Sequence, residues 1–301
     1  MMRRRALLAA LAASAACDGC ERPGSRGAPS AAPPASSFRG SWRELTFPPS
    51  RVYDEEEMAA VLVATQAPVL IALHGRGESG RGLAAGARGW RDDYELDRAQ
   101  ARCKAPPLTA EDFHGFVEPK RLEQLNASLA AQPYQGLNVA CPHAPALADR
   151  SAAGAAPFGR FLTELLLPRV RREVAAISTR DATGIDGVSM GGRLALLIGL
   201  SNPTVFGAVG ALQPAISTDE AETLADMAAK ADPRPELRLV SSEGDPFLGA
   251  VRALSKALTE RDVAHGLVVT PGPHDYVWNK GPGCFEMLLW HERVLRGMAA
   301  P

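Results

Sequence analysis

Several features that would assign this chain to a special class at once are missing from its sequence. It has no apolar run of about 18 residues, the length that a membrane-spanning helix needs. Glycine is not periodic, which excludes a collagen-like chain, and 46% hydrophobic residues are too many for a chain disordered throughout. Its 33 basic and 34 acidic residues nearly cancel, so charge gives no reason to expect nucleic acid as a partner. A globular protein with a small or neutral partner remains.

The N-terminus has the segment order of a secretory signal. Three arginines, Arg3 to Arg5, precede the apolar stretch ALLAALAA, and a run of small residues ends at Cys17. This order predicts a signal peptide over residues 1–16 and export. Because the small-residue run stops at a cysteine, it is similar to a bacterial lipoprotein signal, in which a lipid on Cys17 attaches the protein to a membrane. Cleavage near Ala16 without a lipid is the alternative.

The segment after the signal has the composition of a flexible linker. Residues 17–40 are rich in glycine, proline, serine and alanine, and they carry too few large apolar side chains to offset the entropy lost on ordering. We therefore expect a disordered tether there. Residues 41–301 are long enough for one α/β domain.

Cysteine usage leaves the disulfide pattern open. If Cys17 carries a lipid, Cys20, Cys103, Cys141 and Cys284 allow three pairings, and the sequence does not choose among them. Cys141 lies in an apolar run and is equally well explained as a buried free thiol. Only Cys17 and Cys20 have close spacing, and no second pair completes a metal site, so no metal is predicted.

Short apolar runs alternate with helical patterns along the folded part. The expected strands are 69–73, 137–141, 182–188, 206–213, 237–241 and 267–270. The expected helices are 120–131, 158–177 with an interruption at Pro168, 190–200, 219–230, 246–261 and 285–298. This alternation predicts an α/β fold with a mostly parallel sheet flanked by helices. In such sheets the functional side chains gather where the strands end.

One string has the form of a nucleophile elbow. Residues 187–191 read GVSMG, between an expected strand and an expected helix. Glycines before and after the serine permit a sharp turn that projects the hydroxyl from the sheet edge. The string by itself is weak evidence, but its place between strand and helix makes Ser189 the candidate nucleophile.

A serine nucleophile needs a histidine base, which in turn needs an orienting carboxylate. Of the histidines after Ser189, His265 precedes a strand and His291 lies within the last helix, whereas His274 follows a strand. Asp245 likewise follows strand 237–241, with Glu243 as a reserve. The chain order serine, aspartate, histidine is that of the α/β-hydrolases.

The fourth requirement is a pair of donors for the oxyanion. The backbone N–H of Met190 begins the helix after the elbow, and a second N–H should come from the loop after an early strand. The string HGRG follows strand 69–73, and we expect the second donor at Arg76, with Gly75 as its competitor. The Arg76 side chain either meets a substrate carboxylate or phosphate or faces solvent.

Longer stretches now show a resemblance. The strings LIALHGRGES, FLTELLLPRVRRE, DGVSMGGRLAL, FGAVGALQPAIS, SSEGDPF and GPHDYVWN resemble the esterase D-like family of α/β-hydrolases, which includes S-formylglutathione hydrolases, enterochelin esterases and feruloyl esterases. The resemblance implies hydrolysis of small-molecule carboxylic esters through an acyl-enzyme without a cofactor, with Ser189, Asp245 and His274 as the triad. Asp186 departs from the pattern, since a small residue is more usual there.

A long segment separates the first expected parallel strands. Residues 76–136 exceed an ordinary connection, which favours an insertion that is either a cap over the site or a surface excursion. The aromatic residues Trp90 and Trp278 are candidates for lining a substrate pocket, although such residues often anchor their own loop.

Three rival functions remain open. A serine peptidase could use the same fold and triad, although no large accessory domain is visible. A surface-tethered binding module could retain an inactive hydrolase fold, but the intact triad elements count against it. The string GRGESG, residues 75–80, also fits a dinucleotide fingerprint, but the glycine-studded stretch after it argues against the required helix.

Overall fold

The computed structural model describes residues 41–64 and 66–301, so the predicted signal peptide and tether lie outside the described residues. An eight-stranded sheet forms the centre, in the order β1-β2-β4-β3-β5-β6-β7-β8. The first two strands run antiparallel to their neighbours and all later pairs are parallel. The strands are β1 Trp42–Phe47, β2 Glu57–Leu62, β3 Val69–Leu73, β4 Asn138–Pro142, β5 Thr183–Gly187, β6 Ala208–Leu212, β7 Glu236–Gly244 and β8 Gly266–Pro273.

Helices cover both faces of this sheet. They are α1 Arg76–Ser79, α2 Leu83–Ala87, α3 Gly89–Asp92, α4 Leu96–Cys103, α5 Pro119–Ala131, α6 Ala152–Arg160, α7 Leu167–Glu173, α8 Met190–Ser201, α9 Thr218–Lys230, α10 Leu248–Glu260, α11 Tyr276–Trp278 and α12 Cys284–Leu295. Every residue of β3, β4, β5 and β6 is buried, which is why these strands read as continuous apolar runs. Among the described residues no helix is long and apolar enough to cross a membrane.

The two antiparallel strands were not predicted. In β1 only Leu45 and Phe47 are buried, because this strand lies at the edge of the sheet and most of its side chains face solvent. Strand β2 reads EMAAVL, in which alanine and methionine favour a strand only weakly, and it directly follows the acidic residues 54–56. Neither segment therefore carries a strong strand pattern.

The expected interruption at Pro168 does not occur. Helix α6 continues through a π-helical turn, Phe161–Leu166, directly into α7. Pro168 lies in the first turn of α7, and its missing N–H is tolerated there because the hydrogen bonds of the wider turn shift the register of the helix. The sequence pattern was right about a local irregularity and wrong about a break.

The segment 76–136 forms part of the domain and does not stand apart as a cap. Its apolar side chains pack with α12 and with the second face of the sheet in one buried cluster, to which Trp90, Leu96, Phe113 and Leu125 belong. This segment therefore supplies much of the layer that the second face of the sheet requires. The other face is covered by the helices α6 to α10.

Candidate active site

The chain turns sharply at Ser189. This residue has φ 57° and ψ −116°, a left-handed backbone that non-glycine residues rarely adopt, and it directly precedes α8. Its N–H donates to the Leu212 carbonyl at 2.9 Å, and its own carbonyl accepts the Ala215 N–H at 2.9 Å. Hydrogen bonds to the end of β6 and to the segment after it thus hold the strained conformation in place.

The glycines around Ser189 are needed for close backbone approach. A Cβ on Gly187 would lie 2.5 Å from the carbonyl oxygen of Gly191, and one on Gly191 would lie 2.5 Å from the carbonyl oxygen of His74. Real Cβ atoms do not come so near to a backbone oxygen. The glycine spacing seen in the sequence therefore has the packing reason that an elbow requires.

Three side chains from different strand ends meet at this turn. His274 Nε2 lies 3.0 Å from Ser189 Oγ, and His274 Nδ1 lies 2.9 Å from Asp245 Oδ1. Asp245 is buried, and its carboxylate also accepts the Ser241 hydroxyl at 2.6 Å and the Phe247 N–H at 3.0 Å. The predicted nucleophile, base and acid therefore form one continuous hydrogen-bonded chain.

Two polar residues that the sequence reasoning missed hold the loops of His274 and Asp245. Gln213 donates to the carbonyl oxygen of Pro273 at 2.9 Å and to Ser242 Oγ at 2.7 Å. The second missed residue is Ser241, whose hydroxyl donates to Oδ2 of Asp245, the carboxylate oxygen that does not contact His274. Gln213 directly follows strand β6, so the rule that strand ends carry function could have singled it out.

The competing candidates lie elsewhere. His265 pairs with Ser255 at 2.8 Å, and His291 is fully buried with its Nε2 2.9 Å from Asp186 Oδ2. The reserve carboxylate Glu243 is exposed. None of these three candidates has a hydrogen bond to Ser189 among the described contacts.

The loop after β3 lies against the elbow. A Cβ on Gly75 would be 3.8 Å from the Ser189 Cβ, and the Gly75 N–H already donates to the Tyr94 hydroxyl at 3.3 Å. Arg76 and Met190 are the first residues of α1 and α8, and N–H groups in a first helical turn have no acceptor within the helix. This favours Arg76 over Gly75 as the second donor. The side chain of Arg76 is exposed.

The prediction that Trp90 and Trp278 line a pocket is wrong for this structure. Both side chains are fully buried. Trp90 packs edge-on against Tyr94 at 4.9 Å between ring centroids, and the Trp278 indole N–H donates to Thr270 Oγ1 at 2.8 Å. Neighbouring core residues cover both side chains completely, so neither presents a face to a ligand.

His74 is a buried residue beneath the same loop. Its Nδ1 lies 2.8 Å from the Gly75 carbonyl oxygen, and its Nε2 accepts the Ala144 N–H at 2.8 Å. Burial lowers the pKa of His74 to about 4, so the ring is neutral at physiological pH. A neutral ring with its proton on Nδ1 satisfies both contacts and secures the loop.

His143, at the end of β4, is a further titratable group near His74. Burial alone would lower its pKa, but the neighbouring Glu57 carboxylate, 3.2 Å away, raises the pKa above its ordinary value. Within the described residues no cluster of histidine, cysteine, aspartate or glutamate has the geometry to hold a metal ion.

A serine on a strained strand-to-helix turn, with histidine and aspartate at later strand ends of a mostly parallel sheet, defines an α/β-hydrolase architecture. The sequence profile of the family described as Putative esterase matches residues 138–275, a stretch that includes Ser189, Asp245 and His274. This match confirms the predicted family resemblance and the predicted class of enzyme, a carboxylic ester hydrolase. No protein in the curated set matches the chain by sequence.

Solved structures share the fold at low sequence identity. A ferulic acid esterase has a TM-score of 0.63 at 17% identity, covering 85% of this chain and 100% of its own. An S-formylglutathione hydrolase from Agrobacterium tumefaciens has a TM-score of 0.57 at 18% identity, covering 87% and 98%. The fluorophosphonate-binding serine hydrolase F from Staphylococcus aureus has a TM-score of 0.55 at 16% identity, covering 80% and 94%. These similarities confirm the predicted α/β-hydrolase fold.

Proposed function

We propose that this protein is an exported serine esterase that cleaves small-molecule carboxylic esters through an acyl-enzyme. The observation that carries the proposal is the hydrogen-bonded chain from Ser189 through His274 to Asp245, with distances of 3.0 and 2.9 Å. Such a chain on an elbow turn is the arrangement that activates a serine hydroxyl for attack on an acyl carbon.

The proposed reaction has two halves. Ser189 Oγ attacks the ester carbonyl while His274 Nε2 takes the hydroxyl proton, and His274 then gives that proton to the departing alcohol. Water attacks the resulting acyl-serine in the second half, again with His274 as base. Asp245 orients the imidazole and stabilises its charged form. Every step uses protein groups and water, so the mechanism requires no cofactor.

The developing oxyanion needs donors that are already in place. We assign the backbone N–H groups of Met190 and Arg76 to this role, because both begin helices beside Ser189 and the Gly75 N–H is engaged by Tyr94. The positive end of helix α8 and the Arg76 N–H in the single turn α1 would then face the negative charge of the tetrahedral intermediate.

A small ester is the substrate class that the comparisons favour. The similar solved structures carry the names of a ferulic acid esterase and an S-formylglutathione hydrolase. Tyr276 and Val277 follow His274 and are more than two fifths exposed, so the rim of the site offers an apolar surface to an acyl or alcohol group.

Labelling with a fluorophosphonate tests the nucleophile. We expect the wild type to be labelled covalently and Ser189→Ala to lose both the label and p-nitrophenyl acetate hydrolysis. Ser255→Ala is the matched control, because Ser255 also lies 2.8 Å from a histidine nitrogen but within helix α10, away from the elbow. Its labelling should equal that of the wild type. A wild type that takes no label would contradict the hydrolase proposal and leave an inactive binding module.

The same samples distinguish an esterase from a peptidase. Rates on p-nitrophenyl esters of graded acyl length should exceed rates on peptide p-nitroanilides by a wide margin. A labelled enzyme that cleaves only the anilides would instead identify a serine peptidase on the same fold.

Export and membrane attachment are the remaining part of the proposal, and they rest on the order of segments in residues 1–17. In a bacterial host, we expect labelled palmitate to be incorporated into the full chain and to be lost in Cys17→Ser. Secretion without incorporation would support cleavage near Ala16, whereas retention in the cytoplasm would contradict export.

A further inference from the structure

Glu78 is a buried carboxylate that the proposed reaction does not use directly. Its side chain is fully buried in α1, in the loop that follows β3. Oε2 accepts the Tyr94 hydroxyl at 2.6 Å, and Oε1 accepts the Tyr276 hydroxyl at 2.6 Å. A carboxylate withdrawn from water is costly unless it is paired or hydrogen-bonded, so this residue occupies a site built to receive it.

Each tyrosine leads to a different part of the proposed machinery. The Tyr94 hydroxyl also accepts the N–H of Gly75, the residue directly before the proposed donor Arg76. Tyr276 begins α11, two residues after the proposed base His274. Glu78 therefore joins the oxyanion loop to the histidine loop through two hydroxyl groups.

The close approach of the two loops is visible at Gly77. A Cβ at this position would lie 2.5 Å from the Tyr276 hydroxyl oxygen, so glycine is what lets Tyr276 reach Glu78. Tyr276 keeps this contact although its side chain is 45% exposed. Its hydroxyl thus links a partly exposed side chain to a buried carboxylate.

Both hydroxyls act as donors at neutral pH. Burial raises the pKa of Tyr94 well above its ordinary value, and the hydrogen bond to Glu78 raises the pKa of Tyr276 to about 12. The nearest positive group is Arg81, whose Nη2 lies 3.6 Å from Glu78 Oε1 but also pairs with Asp93. The two short tyrosine contacts are therefore the main partners of the carboxylate.

We propose that Glu78 is a positioning residue that sets the distance between the oxyanion loop and the histidine loop. This inference rests on the proposed function, because it assigns Glu78 a role in placing the Arg76 N–H and His274 about the same reacting carbon. Both oxygens of Glu78 accept from a hydroxyl, whereas glutamine has one oxygen and would set its NH2 group against the second hydroxyl, which would then have to accept in place of donating.

The test measures kcat, KM and the inhibition constant of a trifluoromethyl ketone, which forms a tetrahedral oxyanion on an active serine. The variants are Glu78→Gln, Tyr94→Phe and Tyr276→Phe, with p-nitrophenyl acetate as substrate. Misplacing a donor or a base by about an ångström costs up to roughly a hundredfold in rate. We therefore expect kcat to fall by roughly tenfold to a hundredfold in Glu78→Gln while KM changes by less than about threefold.

The inhibitor and a double-mutant cycle distinguish the effect of Tyr94 on the oxyanion loop from the effect of Tyr276 on the histidine loop. Tyr94→Phe should weaken the ketone by about the factor by which it lowers kcat, since both depend on the oxyanion donors. In the Glu78→Gln background, adding Tyr276→Phe should cause little further loss, because this hydroxyl acts through the same carboxylate. Tyr94→Phe also removes the acceptor of the Gly75 N–H, so its effect is compared as a single variant.

Tyr134→Phe is the matched control. Tyr134 is a buried tyrosine whose hydroxyl donates to Gln100 at 3.1 Å on the second face of the sheet. It should lower the melting temperature without changing kcat. Circular dichroism of every variant reports the folded fraction.

Several outcomes would contradict the role proposed for Glu78. Values of kcat within twofold of the wild type in all three variants would overturn the assignment. So would losses that only follow the folded fraction, or losses of Glu78→Gln and Tyr276→Phe that add independently in their double variant. If Glu78→Gln does not fold, the kcat and folded-fraction criteria are applied to the two single tyrosine variants. A wild type without esterase activity would instead refute the proposed function, which the ester assay shows before any variant is compared.

Discussion

At the scale of single residues, the described structure shows how the carboxylate of Asp186 is accommodated beneath the elbow. Asp186, which departs from the pattern of the esterase D-like family, accepts the Gly187 N–H at 2.7 Å and lies 2.9 Å from His291 Nε2. A Cβ on Gly210 would collide with its carboxylate. The departure is therefore compensated by a buried histidine on α12 and by a glycine on the next strand.

The buried imidazole of His74 makes stability depend on pH. Its pKa of about 4 in the folded chain lies below the ordinary value of 6.5, so the unfolded chain binds this proton more readily. Above pH 6.5 the imidazole is neutral in both states, and burying it does not reduce the free energy of unfolding. As the pH falls from 6.5 towards 4, the unfolded chain takes up a proton that the folded chain does not, so the free energy of unfolding decreases. The difference corresponds to roughly 3 kcal/mol in the free energy of unfolding. Protonation would set a second N–H against the Ala144 N–H.

Urea unfolding at several pH values checks this prediction. We expect wild type to lose more stability than His74→Gln between pH 7 and pH 4.5, because glutamine does not titrate. Other groups, including His291, are common to both chains, so their effects cancel in the comparison. Parallel stability curves for the two chains would show that His74 does not change its protonation in that range.

At the scale of elements, the start of helix α8 is held against strand β3 at backbone distance. A Cβ on Gly191 would meet the carbonyl oxygens of Leu73 and His74. We expect Gly191→Ala to lower the free energy of unfolding by about 2 kcal/mol or more and to reduce esterase activity, because the helix must move away from the loop after β3. Thermal and denaturant unfolding measure the first effect, and the ester assay measures the second.

Gly249→Ala provides the comparison for Gly191. Gly249 lies in helix α10, and a Cβ there meets nothing within 4 Å. Alanine should leave stability unchanged or raise it by about 0.5–1 kcal/mol, since it is the better helix former. Equal destabilisation by both substitutions would mean that close packing is not what requires glycine at the elbow.

The elements themselves were predictable to different degrees. The six parallel strands were predicted within a few residues, because β3 to β6 are buried on both faces and read as continuous apolar runs, and β7 and β8 contain the apolar runs LRLV and LVVT. Strand β1 was missed because it lies at the edge of the sheet with most of its side chains exposed, and β2, which lies between β1 and β4, was missed because its alanines give a weak strand pattern. The π-helical turn before α7 was read as a break, since a proline pattern does not reveal how the neighbouring turn widens.

At the scale of the whole molecule, the long segment 76–136 has a structural role, because its apolar side chains cover the second face of the sheet. The described cysteines are structural residues as well. Cys103, Cys141 and Cys284 are free and buried, so no disulfide joins these three. Burial raises the pKa of each thiol, which makes all three poor nucleophiles. The interpretation of Cys141 as a buried free thiol is confirmed. Packing, and no disulfide among these three cysteines, holds the helical layers against the two faces of the sheet.

What the sequence determined by itself was local. Short-range spacing predicts the order of strands and helices, the elbow around Ser189, and the strand-end positions of Asp245 and His274. It can do so because the regular backbone geometry of a helix or strand determines where side chains at a given spacing point. Tertiary structure decided which groups meet. Three features depend on segments far apart in the chain: the hydrogen bond between Gly75 and Tyr94, the burial of Trp90 and Trp278, and the contacts of Glu78 with two tyrosine hydroxyls. No local pattern encodes their distance, because only the folded sheet brings them together.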